Sequence, residues 1–216
     1  SDSRPHQYVL DIMGEIQVIP PALERLVRSF SSLPGIGAKT ATRLALTILR
    51  KPASEAREMA AALGELHSSI RLCSNCMAFS ETDPCNVCGD PRRDEALICV
   101  VEQPADLLAI EKTDHYRGHY HILHGVLSPV DGIGPAELGL DQLEGRLEAG
   151  PPEEMIIATN PTGEGGATSY YLQRMAQKHG IRISRIAHGV PLGGELEYID
   201  SGTLAHAFSG RQRFDS

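Results

Sequence analysis

Two cysteine couples, Cys73 with Cys76 and Cys85 with Cys88, constrain this chain more tightly than any other feature of its sequence. They sit in RLCSNCMAFSETDPCNVCGD, each spaced C-x2-C, with eight residues between the couples. A C-x2-C turn aims two thiols at one point, and eight residues suffice to fold one couple onto the other. The result is the tetrahedral four-thiolate set of a structural zinc site, closed to water and substrate. One Zn²⁺ per chain is therefore expected to fold the chain and to do no chemistry. Two disulfides or an iron–sulfur cluster would use the same residues. The first twenty residues, however, carry Arg4, His6, Asp11 and Glu15 and lack an apolar core of secretory-leader length. A reducing cytoplasm is thus the expected compartment, and the symmetric spacing favours zinc over an iron–sulfur cluster. Cys99, inside LICVV, reads as a buried small hydrophobe.

At 216 residues the chain can hold one sizeable core and one or two small modules. No apolar run approaches the ~18–20 residues of a membrane span. The net charge of −8 argues at first against a polyanionic partner, but its distribution reverses that. Between Ala22 and Lys51 stand six basic residues (Arg25, Arg28, Lys39, Arg43, Arg50, Lys51) and one acid, Glu24, so this segment carries +5 and the remainder −13. A basic module on an acidic body presents one face to a polyanion.

Along the chain, residues 1–21 lack periodicity, end in Pro20-Pro21, and are expected to be an extension or leader without a role. Residues 22–70 read as helical: Leu23, Leu26, Val27 and Phe30 mark one amphipathic helix. A second runs from Ala38 to about Leu49 with Ala41, Leu44, Ala45 and Ile48 inward, and a third from Ser54, as N-cap, to His67. The cysteine module occupies 71–92. From 93 to 188, short apolar runs (LICVVE, HYHIL, MIIAT, RISRIA) alternate with helical stretches at Ala105 to Lys112 and Ala167 to His179. That alternation is the mark of a parallel α/β sheet. Ser128 to Gly150 is Gly- and Pro-rich, an excursion with a helical candidate at Leu140 to Leu147, and 189–216 form a mixed strand and helix tail assigned to assembly. The expected fold is thus α/β, with a helical hairpin, a zinc module, a sheet domain and a C-terminal tail.

Within LPGIGAKTATRLA, Gly35 and Gly37 allow a tight inter-helix turn whose backbone N–H groups can approach a phosphate, at the positive end of the second helix. Lys39 and Arg43, four apart, share a face and extend that anion site. The segment resembles a helix-hairpin-helix DNA-binding motif, which would bind backbone without sequence preference. The competing reading is a plain helical hairpin with a solvated charged face.

In the α/β part Glu102 ends the run ICVV, Asp106 follows one turn into the next helix, and MIIAT runs into the loop Asn160 to Gly166, which contains Glu164. Loops at the C-terminal ends of parallel strands are where such sheets place their sites. The pairing resembles the Toprim domain of topoisomerases and primases. The catalytic pattern supplies two aspartates where this chain has Asn160 and Thr162. Glu102, Asp106 and Glu164 could still hold a weakly bound Mg²⁺, but no nucleophile is identifiable. The edge reads as a scaffold without its chemistry, its acidity serving as a docking surface for a basic protein or as a solvated edge. The alternative is an active Mg²⁺-dependent nuclease or primase-like enzyme.

Weaker signals resolve to structure. His115, His119, His121 and His124 lack a supporting carboxylate shell and read as packing or surface histidines. GEGGATS lacks the G-K-[ST] ending of a phosphate-binding P-loop, and the Walker B-like acids Glu195, Glu197 and Asp200 have no Walker A partner.

In chain order, the basic hairpin, the four cysteines, the Toprim-like sheet and the motifs HGVLSPVDGIGP, ATNPTGEGGAT and IAHGVPLGGELEYID resemble the RecR family of bacterial recombination mediators from Ala22 to Phe214. That resemblance implies a non-enzymatic DNA-repair factor in the bacterial cytoplasm, associated with the nucleoid. It implies action with RecO, and in some settings RecF, to load RecA onto DNA coated by single-strand binding protein. It implies a ring-shaped homotetramer around DNA. Carried over, Gly35, Gly37, Lys39 and Arg43 become DNA contacts, the four cysteines zinc ligands, and Glu102, Asp106 and Glu164 the partner surface. One departure stands out: where the family loop often reads E-G-E, this chain has Gly166.

Overall fold

A strand buried on both faces needs apolar residues at every position, and LICVV meets that demand. In the computed structural model, which describes residues 19–187 and 189–211, the chain divides at Ser68/Ser69 into two units. Residues 1–18 and 212–216, and with them most of the expected leader, lie outside the described residues.

The first unit holds α1 (Pro21–Ser31) and α2 (Ala38–Arg50), packed on each other, with Ala41 and Ala45 of α2 fully buried. Pro21 opens α1 at a position where its missing N–H costs nothing. The third helix, α3, spans Ala53–Ser69. It begins one residue before the expected N-cap, so Ser54 lies in its first turn. No residue of α3 is buried, and Met59, Leu63 and Leu66 stand exposed along one stripe.

The second unit begins with a small antiparallel pair, β1 (Arg71–Leu72) and β2 (Phe79–Ser80), that carries the cysteine turns. Four parallel strands follow, β3 (Asp94–Val101), β4 (Gly118–Ile122), β5 (Glu154–Ala158) and β6 (Arg182–Arg185), in spatial order β4-β3-β5-β6. Helix α4 (Pro104–Glu111) joins β3 to β4, α5 (Leu140–Ala149) precedes β5, and α6 (Gly163–Lys178) joins β5 to β6. Ile98 and Val100 of β3 enter one core with Met155 and Ile157 of β5, beneath α5 and α6. Cys99 and Val101 point to the opposite face and join Tyr120, Ile122 and Leu107 of α4 in a second core. Burial pushes the Cys99 thiol up to about 12, so it behaves as the expected inert hydrophobe. The chain closes through a 3₁₀ turn at Leu196–Tyr198 and α7 (Ser201–Ser209), capped by Asp200 on the Thr203 N–H. No helix of the described residues is long and apolar enough to cross a membrane.

One boundary differs from expectation by four residues. The glycine-rich stretch after β5 is not a loop: α6 starts at Gly163, with the Thr162 hydroxyl accepting from Gly165 N–H. Glycines disfavour helix interiors in general, but the close approach of the Asn160 carbonyl to Gly165 requires one here.

Leu143, on α5, is fully buried in the first core. Leu143→Ala is expected to cost about 2–5 kcal/mol of unfolding free energy, measured by urea denaturation of the full chain.

Candidate functional site

The cysteine module is built by two backbone turns. Met77 N–H donates to Cys73 O at 3.0 Å and Gly89 N–H to Cys85 O at 2.8 Å, so each C-x2-C segment curls around its own sulfurs. Amide donors then face the thiols: Cys85 N–H lies 3.4 Å from Cys73 Sγ, and Cys88 N–H 3.4 Å from Cys85 Sγ. All four sulfurs lie within 4.8 Å of one another, with Cys76 and Cys85 3.5 Å apart, and no disulfide joins them. Zn–S bonds of ~2.3 Å set sulfurs about 3.8 Å apart on a tetrahedron, so the cage has the right size. Burial pushes the Cys73 thiol up, but the amides of Cys85, Cys76 and Asn75 outweigh it and bring it down to about 7. Cys76 moves the other way, because the neighbouring Cys88 sulfur and burial both disfavour a second thiolate. Four sulfurs this close can all ionise only around a cation. The cluster can hold a metal ion.

The module is fastened to the sheet domain through backbone contacts. Ile122 N–H of β4 donates to Cys76 O at 2.9 Å, and a His124 ring nitrogen donates to Met77 O at 2.6 Å. Arg146 of α5 donates to both Asn75 O and Tyr120 O, tying knuckle and strand together. Sequence reasoning misses Arg146, because its partners are main-chain carbonyls 71 and 26 positions away, which leave no mark in residue type. The histidines resolve individually: His121 is buried and held neutral, its pKa lowered by burial and by Arg146 to about 3, while His124 stacks edge-on against Phe79.

In the helical unit the turn between α1 and α2 contains Gly35 with φ +79, a conformation side chains rarely adopt, and Gly37 as the N-cap of α2 without any side-chain cap. Nothing lies within 4 Å of where a Cβ would stand at either glycine. Only Gly35 is required by its own backbone, and the open N-terminus leaves room for an incoming oxyanion. Lys39 and Arg43 line one groove along α2 with Thr42, Leu46, Thr47 and Arg50. Arg28 is paired with Glu24 and Lys51 with Glu55, whereas Lys39, Arg43 and Arg50 have no ion pair among the described residues. Arg50 joins the site expected from Lys39 and Arg43 alone, and its spacing of seven from Arg43 is the signal that puts it on the same stripe.

At the sheet edge the three acidic candidates part company. Glu102 is 6% exposed, and both its oxygens are taken: one accepts from Asn160 N–H at 2.8 Å, the other from Asn160 Nδ2 at 2.6 Å. An aspartate at 160 would offer no side-chain donor and would repel Glu102, so Asn160 turns what could be a metal pair into a closed hydrogen-bonded lock. Asp106 accepts from Gln103 N–H at 2.8 Å as the third residue of the α4 capping box. Of the three, only Glu164 is exposed, in the first turn of α6. Among the described residues these three carboxylates do not gather as a metal-holding set, so they do not fit Mg²⁺. The acidic face expected from all three is carried by Glu164, with Asp106 half-buried and Glu102 inside. Gly165 makes the packing possible, since a Cβ there would stand 2.1 Å from Asn160 O and 2.9 Å from Glu102 Oε1. Gly166 has open space around it, so the glutamate often found there in the resembled family would fit sterically.

Comparison with known proteins matches these parts in the same order. Family profiles described as "RecR, helix-hairpin-helix", "Toprim domain" and "RecR, C-terminal" cover residues 23–67, 96–187 and 189–212. The chain is 52% identical to "Recombination protein RecR" of Anaeromyxobacter sp. (strain Fw109-5), over 88% of this chain and 96% of the relative. It is 49% identical to the protein of that name from Halorhodospira halophila, over 93% and 100%, and 53% identical to that from Xanthomonas axonopodis pv. citri, over 88% and 96%.

The contrast between the two glycines is testable. Gly165→Ala is expected to destabilise the sheet domain by about 1–3 kcal/mol through forced displacement of Asn160, and Gly166→Ala, which meets open space within the helix, to stabilise it by up to about 1 kcal/mol. Chemical denaturation of both variants measures the difference.

Proposed function

This chain belongs to the RecR family, and we propose that it is a DNA-binding mediator of recombinational DNA repair that turns over no substrate. The observation that carries the reading is the groove on α2, where Lys39, Arg43 and Arg50 stand without ion-pair partners among the described residues, beside an uncapped helix N-terminus. Phosphate oxygens would take the N–H groups behind Gly37, and the three cations would follow the backbone along the helix. No base edge is read, so binding is independent of sequence and falls with salt. The absence of turnover is supported by the Glu102–Asn160 lock, which spends the carboxylate that Toprim chemistry would give to Mg²⁺.

The metal in the four-cysteine cage is Zn²⁺, held by Cys73, Cys76, Cys85 and Cys88, and it fixes the module without chemistry of its own. The chain assembles as a homotetrameric ring. The exposed apolar stripe of α3 and the exposed Leu192, Leu196, Tyr198 and Phe208 of the tail supply surface for such contacts. Several hairpins facing one lumen would raise a weak phosphate contact to useful avidity. RecO, and in some settings RecF, would dock on the acidic edge led by Glu164, so that RecA is loaded on DNA coated by single-strand binding protein in the bacterial cytoplasm.

Replacing Lys39 and Arg43 together with Ala should lower DNA affinity at every sequence. It should also reduce the slope of log K against log salt by about 0.9 for each phosphate no longer neutralised. Fluorescence anisotropy across salt tests this, and unchanged affinity in a folded variant would discard the groove as the site. Cys76→Ala should reduce bound zinc, read by elemental analysis, and lower solubility before DNA binding is affected. A fully stable metal-free variant would contradict the structural role.

A further inference from the structure

Taking the cage as the zinc site and the acidic edge as the docking surface proposed above, we infer that the first controls the second: zinc keeps the α4 side of the edge ordered, and its loss loosens that side while the β5 and α6 side stays folded. The cysteine module has no core of its own. Its strands β1 and β2 are two residues each, and its buried Cys73, Cys76 and Cys85 pack only with Ala78, Val87 and Cys88. So small a cluster does not offset the entropy of ordering residues 71–92, and the ion is what holds them folded.

Two sets of contacts join the module to the edge. β4 ends the sheet: β3 lies along one side of it, and on the other Ile122 N–H finds its acceptor in Cys76 O. Just beyond β4, Leu123 N–H donates to Val101 O at 3.0 Å and Gly125 N–H to Glu102 O at 3.1 Å, while His124 between them reaches back to Met77 O. The turn after β4 is therefore pinned at once to the cage and to the backbone of Glu102. The second set is apolar. Ala78 and Val87 of the module pack against the core of Cys99, Val101, Leu107, Tyr120 and Ile122. Helix α4, which bears Asp106, is eight residues long, and Leu107 is its one buried residue. Removing the ion releases Ile122, His124 and this apolar cover together, and a strand end and a short helix deprived of partners open locally. The rest of the edge is insulated. β5 and α6, which flank Asn160 and carry Glu164, rest on the first core, to which the module contributes no residue.

Hydrogen–deuterium exchange of the full-length chain tests this, with zinc bound and after its removal by a chelator under reducing conditions, metal content being read by elemental analysis. Zinc loss should speed exchange at Gly125 and at Leu108 to Glu111 of α4 about tenfold or more, and leave Ile157 of β5 and Leu172 of α6 within about twofold. Exchange at Ile122 reports release of the module itself. Faster exchange at Ile122 with Gly125 and α4 unchanged refutes the control of the edge and leaves the zinc site standing. Equal acceleration at Ile157 and Leu172 also refutes it, because the chain then unfolds as a whole. A chain that binds no zinc overturns both the metal site and its control of the edge. If the metal-free chain aggregates, His124→Ala with zinc still bound decides: this variant cuts the module's hold on the turn, and exchange at Gly125 equal to that of the unsubstituted chain refutes the link.

Discussion

The whole sheet domain depends on burying β3 from both sides. Alternate residues of Ile98-Cys99-Val100-Val101 enter two different cores, so neither layer of helices can be removed without exposing the strand. Apolar burial is worth about 25 cal/mol per Å², and β3 collects it on both faces. This strand fixes where everything else in the domain sits. Parallel pairing sends β3 and β5 to the same edge, so Glu102 and Asn160 emerge opposite each other although 58 positions separate them. β4, paired along the other side of β3, presents its end to the cysteine module through Ile122.

Two of the three chemical features that result are closed and one is open. The four cysteines face one another and are clasped by amides, His124 and Arg146. The Toprim edge is closed on itself by the Glu102–Asn160 lock, and Gly165 is there because the lock leaves no room for a side chain. The groove of α2 differs in kind. Its cations have no ion-pair partner within the described residues and its helix start has no cap, so its hydrogen-bonding capacity is directed outward. The contrast is between Glu102, spent on Asn160, and Lys39, Arg43 and Arg50, which line the groove without an ion-pair partner among the described residues.

Much of the candidate site is legible in the chain because its signals are local. A C-x2-C turn, a Gly-x-Gly turn and cations at helical spacing each report geometry within a few residues, which is why the metal cage and the basic stripe can be read directly. Arg50 falls on the same periodicity as Lys39 and Arg43. The sheet edge is harder. Glycines at 165 and 166 suggest a loop, yet α6 begins at Gly163, because Gly165 answers to the Asn160 carbonyl folded against it, a contact that composition does not reveal. Glu102, Asp106 and Glu164 likewise look equivalent as letters, but burial, capping and exposure give them three separate environments.

Residue type and short spacing are enough to specify the kinds of parts and their order: a hairpin with a basic face, a four-thiol cage, a parallel α/β sheet and an edge lacking the Toprim aspartates. They act through bond geometry and helical or strand periodicity, which operate over a few residues. Which polar groups are satisfied and which are left open is settled by packing instead. Asn160 meets Glu102, and Arg146 reaches the Asn75 and Tyr120 carbonyls, only because apolar burial brings distant segments together. Burial and hydrogen-bond satisfaction are properties of the packed chain, and no local pattern encodes them.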